Sequence, residues 1–196
     1  WKIPYEIDSR HTRFHLSIEK HYDEEVRKIL SSTFGISRFA KALLTEKNKE
    51  AIEKAVLATV SNLLDEGAGN TFKIESKRLD KSFPLKSYDI CVYFGDFIRE
   101  HFSNLSVDVH NPDWILYIEI RREALITANY QQGLRGLPVG AAGKGLVLLS
   151  GGIDSPAAAF LMAKRGLEID AVHYHSYPYT SKESQEKVRN IAKVLS

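Results

Sequence analysis

The segment Ser150-Gly151-Gly152-Ile153-Asp154-Ser155 combines two hydroxyls, two adjacent glycines and a carboxylate within six residues. Adjacent glycines let a backbone turn sharply and approach a ligand where a Cβ would collide. The run Gly145-Leu146-Val147-Leu148-Leu149 before it has the length and branching of a buried strand. The run Pro156 to Ala163 after it reads as a helix closed by Gly166. Pro156 suits the first helical turn, where a missing N–H loses nothing. A strand–turn–helix junction of this kind aims unpaired backbone N–H groups and the positive end of a helix dipole at one point, an arrangement that binds phosphate. No Gly-Lys-Ser/Thr follows, so the loop is not a Walker A motif, and no lysine within it reaches a β- or γ-phosphate.

The positioning elements follow from the pattern around the loop. Ile169 to Tyr174 reads as the next buried strand, and Thr180 with Glu183 as a capping box for a last helix reaching Leu195. Strand, helix, strand and helix with short connections form a βαβ unit of a parallel sheet, whose ligands sit at the carboxyl ends of the strands. That places Leu148 and Leu149 beside His173 and Tyr174, as a wall for a nucleoside. His173 and His175 suggest a metal, but no cysteine or carboxylate stands near them in sequence, so the pocket wall is preferred and no metal site is assigned.

Upstream, Thr12, Phe14, Leu16 and Ile18 alternate with polar residues as in a half-buried strand from Arg10 to Glu19. A helix is expected from an Asp23 cap to Gly35, and a short strand within Ile36 to Leu44. Thr45 is the expected cap of a long helix with Ile52, Ala55, Val56, Val60, Leu63 and Leu64 on one face. Thr71 to Arg78 is a strand, and Ser87 caps a helix that buries Ile90, Cys91, Phe94, Phe97, Ile98 and Phe102. Val107 to Val109, Trp114 to Ile120 and Leu125 to Tyr130 complete the strands, and the glycine-rich Gln131 to Gly143 reads as a linker. Cys91, on an apolar helix face, is a structural thiol rather than a reactive one.

Composition sets outer bounds. The chain has 196 residues, 43% apolar and 27% charged, which suits a globular protein of one large or two small domains. No stretch approaches the roughly 20 apolar residues of a membrane span. A single cysteine excludes an internal disulfide and fits a reducing, cytoplasmic setting. Trp1 in place of a methionine reads as a trimmed start. A net charge of +2 is too small to predict a nucleic-acid partner, so that case rests on local clusters.

Several blocks together resemble one family, the tRNA 4-thiouridine synthetases or tRNA sulfurtransferases. They are Lys77 to Pro84, Val107 to Asp113, Gly136 to Gly140, Leu148 to Pro156 and Ala171 to Ser176. The resemblance implies a mixed α/β, α+β chain in the family's order. Residues 1–44 are the remainder of a ferredoxin-like domain, 45–132 a THUMP RNA-binding domain, 133–143 a linker, and 144–196 the opening βαβα portion of a Rossmann-like pyrophosphate-loop domain. It also implies ATP with Mg²⁺, and a reaction in which O4 of uridine 8 in tRNA attacks the α-phosphate before a sulfur nucleophile replaces AMP.

In that reading Leu148, Leu149, Ser150, Gly151, Gly152, Asp154, Ser155, His173 and Tyr174 bind ATP. Asp154 acts catalytically by holding the metal, and with Ser155 it is also a candidate helix cap. The cluster Lys77, Arg78, Lys81 and Lys86, with Arg121, Arg122 and Arg135 elsewhere in the same expected domain, suits RNA phosphates near the unpaired 3′ end; a solvated charged face accounts for any one of them equally well. A cysteine desulfurase or other sulfur donor is implied as partner, a homodimer is left open, and no membrane is expected. The family's sulfur-carrying cysteine lies downstream, so this polypeptide by itself is expected not to thiolate tRNA. Two other readings stay open: an RNA-binding module whose nucleotide loop is inactive or completed by another chain, and a ligase of a small amide or acid with no affinity for tRNA.

Overall fold

The computed structural model describes residues 3–10, 13–176 and 178–195. Trp1 and Thr12, used in the sequence reading, lie outside them. The chain divides into two compact units, residues 40–131 and residues 1–39 with 132–196. The strands are β1 (Glu6–Arg10), β2 (Arg13–Ser17), β3 (Arg38–Phe39), β4 (Ala42–Thr45), β5 (Thr71–Arg78), β6 (Ser106–Val107), β7 (Trp114–Ile120), β8 (Ala124–Ala128), β9 (Gln131–Gln132), β10 (Lys144–Leu148) and β11 (Glu168–Val172). The helices are α1 (Asp23–Ser32), α2 (Lys49–Asp65), α3 (Ser87–His101), α4 (Asp154–Lys164) and α5 (Lys182–Leu195).

In the unit of residues 40–131 a mixed sheet runs in the order β4-β8-β7-β5-β6, with β5 parallel to β6 and β7, and β8 antiparallel to β7 and β4. β4, expected with the first segment, is therefore an edge strand of this sheet. Helices α2 and α3 pack on the sheet because each carries an apolar stripe at helical spacing. Ile52, Val56 and Val60 of α2 and Ile90, Phe94 and Ile98 of α3 are fully buried against Phe72, Leu116, Ile118 and Ile126. Leu63, Leu64, Cys91, Phe97 and Phe102 pack at the margin of this core, so the Cys91 thiol is half-buried. The register pairs Phe72 with Trp114, whose rings stack at 5.0 Å, and the indole N–H donates to the Gly69 carbonyl at 2.9 Å.

Four expected caps move by one to three residues. Tyr22, not Asp23, precedes α1. Asn48, not Thr45, caps α2, its side-chain oxygen accepting from the Ala51 N–H at 2.8 Å. Lys86 precedes α3, and the Ser87 hydroxyl accepts instead from the Arg78 N–H at 3.2 Å. Ser181 caps α5 by accepting from the Ser184 N–H at 3.2 Å, while Thr180 closes the preceding turn onto the Ser176 N–H at 3.0 Å.

In the second unit β1 and β2 form an antiparallel hairpin where one strand from Arg10 to Glu19 was expected. Phe14 is 79% exposed, so the alternating apolar residues do not form a buried face. Residues 133–143, read as a linker, are hydrogen-bonded to other parts of their own unit. The Gly133 and Arg135 N–H groups donate to the carbonyls of Ser37 (3.2 Å) and Ile36 (2.8 Å), and the Leu137 N–H donates to Lys164 at 3.0 Å. β10 and β11 pair in parallel with Leu148 opposite Val172, and α4 packs on both.

Candidate functional site

Strand β10 ends at Leu148, and the Leu149 N–H continues the ladder to the Val172 carbonyl at 2.8 Å. His173 follows the end of β11, and its Nδ1 lies 2.8 Å from the Leu149 carbonyl. A carbonyl only accepts, so Nδ1 is the donor in this contact. Nε2 is buried with no hydrogen-bond partner among the described residues. The sequence-predicted wall is thus partly assembled: Leu149 and His173 meet, whereas Leu148 is 63% and Tyr174 78% exposed.

The turn that follows is closed by its own hydroxyls. The Ser155 Oγ accepts from the Ser150 N–H at 2.8 Å and lies 3.0 Å from the Ser150 Oγ. The Ser150 N–H is therefore already engaged, and Ser155 shapes the loop. A weaker contact runs from the Gly152 N–H to the Ser150 Oγ at 3.4 Å. The N–H groups of Gly151, Ile153, Asp154 and Ser155 have no acceptor among the described residues. They crowd at the start of α4, whose dipole adds positive potential. Asp154 is not a cap: it is the first helical residue, exposed, and makes no hydrogen bond or ion pair with another described residue. Its carboxylate is free to meet a cation.

Among the described residues no group of three or more His, Cys, Asp or Glu side chains could hold a metal by itself. A lone carboxylate beside four N–H donors instead suits a cation brought with a phosphate ligand, since Mg²⁺ binds through one or two carboxylates plus substrate phosphates.

The basic cluster sits on the loop after β5. Phe83, buried at 5% exposure, anchors that loop in the core, and the Arg78 guanidinium donates to the Phe83 carbonyl at 3.2 Å. The Leu79 and Asp80 N–H groups donate to Ile120 at 2.9 and 3.1 Å. Lys47, absent from the sequence reading, braces the same loop: it pairs with Asp80 and donates to the Ser82 hydroxyl at 3.2 Å. The Lys47 ammonium, and then the Ser82 N–H, hold the Asp80 carboxyl well below the usual carboxylate range. The ammonium groups of Lys77, Lys81 and Lys86 have no partner among the described residues, and the three residues are exposed.

A cavity of roughly 420 Å³ opens beside them, lined by Lys47, Lys49, Phe83, Pro84, Leu85 and Tyr93. The Lys49 ammonium lies 4.1 Å from the centre of the Tyr93 ring. Two of the arginines expected elsewhere in the same domain are otherwise engaged. Arg121 is tied to nearly buried Glu119 at 2.5 Å, and Arg135 belongs to the unit of residues 1–39 and 132–196, where it donates to Gln132 at 2.8 Å. Arg122 is exposed. The lysine brace left no mark in the sequence, because Lys47 and Asp80 are far apart along the chain.

Residues 46–128 match the THUMP domain, and residues 140–196 match the family described as thiamine biosynthesis protein (ThiI). A probable tRNA sulfurtransferase of Alkaliphilus oremlandii is 41% identical over 187 residues, covering 95% of this chain and 48% of the relative. One from Treponema pallidum is 43% identical over 193 residues, covering 97% and 48%. A crystal structure described as a 4-thiouridine synthetase–RNA complex with bound ATP superposes with a TM-score of 0.89 at 38% identity, over 97% of this chain and 49% of that one. A Pyrococcus horikoshii protein superposes at 0.84 with 30% identity, over 99% and 62%. No helix among the described residues is long and apolar enough to cross a membrane.

Proposed function

The chain belongs to the tRNA sulfurtransferase family, spanning about half the length of the curated relatives it matches, and on that premise we propose that it forms the tRNA- and nucleotide-binding part of an ATP-dependent uridine thiolase. The observation that carries this reading is the set of four N–H groups, without acceptors among the described residues, at the junction of β10 and α4. The structural likeness to a 4-thiouridine synthetase described with RNA and ATP supports it.

In this reading the triphosphate of ATP lies over the N–H groups of Gly151, Ile153, Asp154 and Ser155, with its nucleoside toward Leu149 and His173. Ser150 and Ser155 hold the turn in shape, so the donors are oriented before the ligand arrives, and little reorganisation opposes reaction. The uridine O4 attacks the α-phosphorus as its N3 proton passes to solvent, an O–P bond forms, and the bond to the bridging oxygen breaks with its electron pair leaving on pyrophosphate. The N–H groups stabilise the charge that grows there. Adenylation converts a poor leaving oxygen at C4 into AMP, which a sulfur nucleophile then displaces. Asp154 would hold Mg²⁺, which when bound screens the phosphate oxygens and withdraws charge from the departing group. Cys91, half-buried against the core of residues 40–131, is unsuited to carry that sulfur. The outer sulfur of a persulfide, charged by a cysteine desulfurase or other donor, displaces AMP at C4, and a second thiol then breaks the S–S bond, leaving sulfur on C4 and a disulfide behind.

Lys77, Lys81, Lys86 and Arg122 take the tRNA backbone, and the braced loop holds Lys81 in place. Such contacts position an RNA without reading its sequence, and the folded shape of tRNA selects the substrate. The test is tRNA-stimulated pyrophosphate release by the full-length protein. Asp154→Ala should lower it by about a hundredfold with ATP still bound. Unchanged release would remove Asp154 from the mechanism, and release indifferent to tRNA would remove tRNA as the acceptor.

A further inference from the structure

The loop from Ser150 to Ser155 contains no cation, yet a triphosphate carries several negative charges. Helix α5 supplies one. A Cβ placed on Gly151 would lie 3.7 Å from the Lys187 Cδ and 3.8 Å from the Val188 Cγ2. Val188 is buried at 4% exposure and fixes this part of α5 beside the loop. The Lys187 stem therefore runs along Gly151, with its ammonium two bonds beyond Cδ.

That ammonium is exposed and has no partner among the described residues, although its helix offers two acidic neighbours. Glu183 stands at the i,i+4 spacing that favours a Glu–Lys pair, but its carboxylate is held by its own backbone N–H and the Ser181 hydroxyl, which keep it below the usual carboxylate range. Glu186 faces Arg189 at 3.3 Å. Lys187 is thus left uncommitted beside a loop of unaccepted N–H donors.

We infer that Lys187 is the phosphate-binding cation of the site, and that it contacts the pyrophosphate half of ATP rather than the nucleoside. The inference rests on the nucleotide-binding role proposed above. The nucleoside wall of Leu149 and His173 lies at the strand ends, so the phosphates extend away from it, over Gly151 and toward the first turn of α4. A lysine there acts as a point charge on a flexible stem and needs no fixed fork of donors. It performs from a neighbouring helix what a Walker lysine performs from within its loop.

The test titrates the full-length protein with ATP, inorganic pyrophosphate and AMP by calorimetry, for wild type, Lys187→Gln and Lys187→Arg. Lys187→Gln should weaken ATP and pyrophosphate about tenfold, leave AMP within twofold, and leave the melting temperature unchanged; Lys187→Arg should restore most of the loss. Wild-type binding with ATP affinity unchanged in Lys187→Gln overturns the inference alone, as does an equal loss for AMP. A wild-type protein that binds no ATP refutes the proposed site and this inference together.

Discussion

Alanine at Gly151 separates the fold of the loop from its chemistry. Gly151 does not lie in the left-handed region, and the contacts of an added methyl at 3.7 and 3.8 Å are ordinary van der Waals distances. The fold should accept the methyl, with stability unchanged or raised by about 0.4–1 kcal/mol as the unfolded chain loses freedom. A bound phosphate would not accept it. The methyl projects into the space between the loop and Lys187, where it holds an oxygen away from the N–H groups. Losing one charge-assisted hydrogen bond costs about 1.5–3 kcal/mol, or roughly ten- to 150-fold in affinity. Calorimetry with ATP and a thermal melt on the same full-length variant read the two effects separately. A variant that melts like wild type and binds ATP within twofold of it would refute the reasoning, because phosphate would not then approach the backbone at Gly151.

Gly136→Ala should behave in the opposite way. Its φ is +82°, and an added Cβ would strike the Lys164 backbone carbonyl, so a loss of at least about 2 kcal/mol is expected from denaturant midpoints. Phe94→Ala, which empties the fully buried centre of the α3 stripe, should cost about 3–5 kcal/mol by the same measurement. The backbone N–H and hydroxyl of Thr71 hold Asp113 below the usual carboxylate range, and the N–H groups of Asn111 and His110 do the same for Asp108. A depressed folded value contributes stability above the unfolded pKa and loses it as pH falls through the folded one, so melting temperature should be flat near pH 7 and decline below about pH 4, with Asp113→Asn lower at pH 7 and less pH-dependent. Lys81→Gln and Lys86→Gln should each reduce the salt dependence of tRNA binding by about 0.7–1 in log–log slope without moving the melting temperature.

The parts legible in the sequence were those fixed by local pattern. The α2 and α3 stripes follow from helical spacing, β5 from the alternation of Phe72, Ile74 and Ser76 with Lys73, Glu75 and Lys77, and β7 from the apolar run Trp114 to Ile120 bounded by the Asn111-Pro112-Asp113 turn. The strand–turn–helix setting of the loop was legible because an apolar run, Gly-Gly and a Pro-led helical run stand in sequence. What escaped depended on partners distant in sequence or on a choice between near-equal caps. Asn48 rather than Thr45 starts α2 because Thr45 is the last residue of β4, paired with Ala124. Alternation in β2 reveals which residues share a face, but not whether another layer covers it, and Phe14 is left exposed. Arg121 was indistinguishable from a free cation until Glu119 was placed beside it. Ser155 read equally well as a phosphate ligand or a helix cap, and in the fold its hydroxyl closes the turn onto Ser150. Lys187 carries no motif at all; only the packing of α5 brings it to Gly151.

Backbone amide resonances of the full-length protein, followed as ATP is added, test the central claim most directly. The account predicts that the N–H groups of Gly151, Ile153, Asp154 and Ser155 shift most and reach saturation together. Shifts centred on other residues, or none at these four, would contradict it.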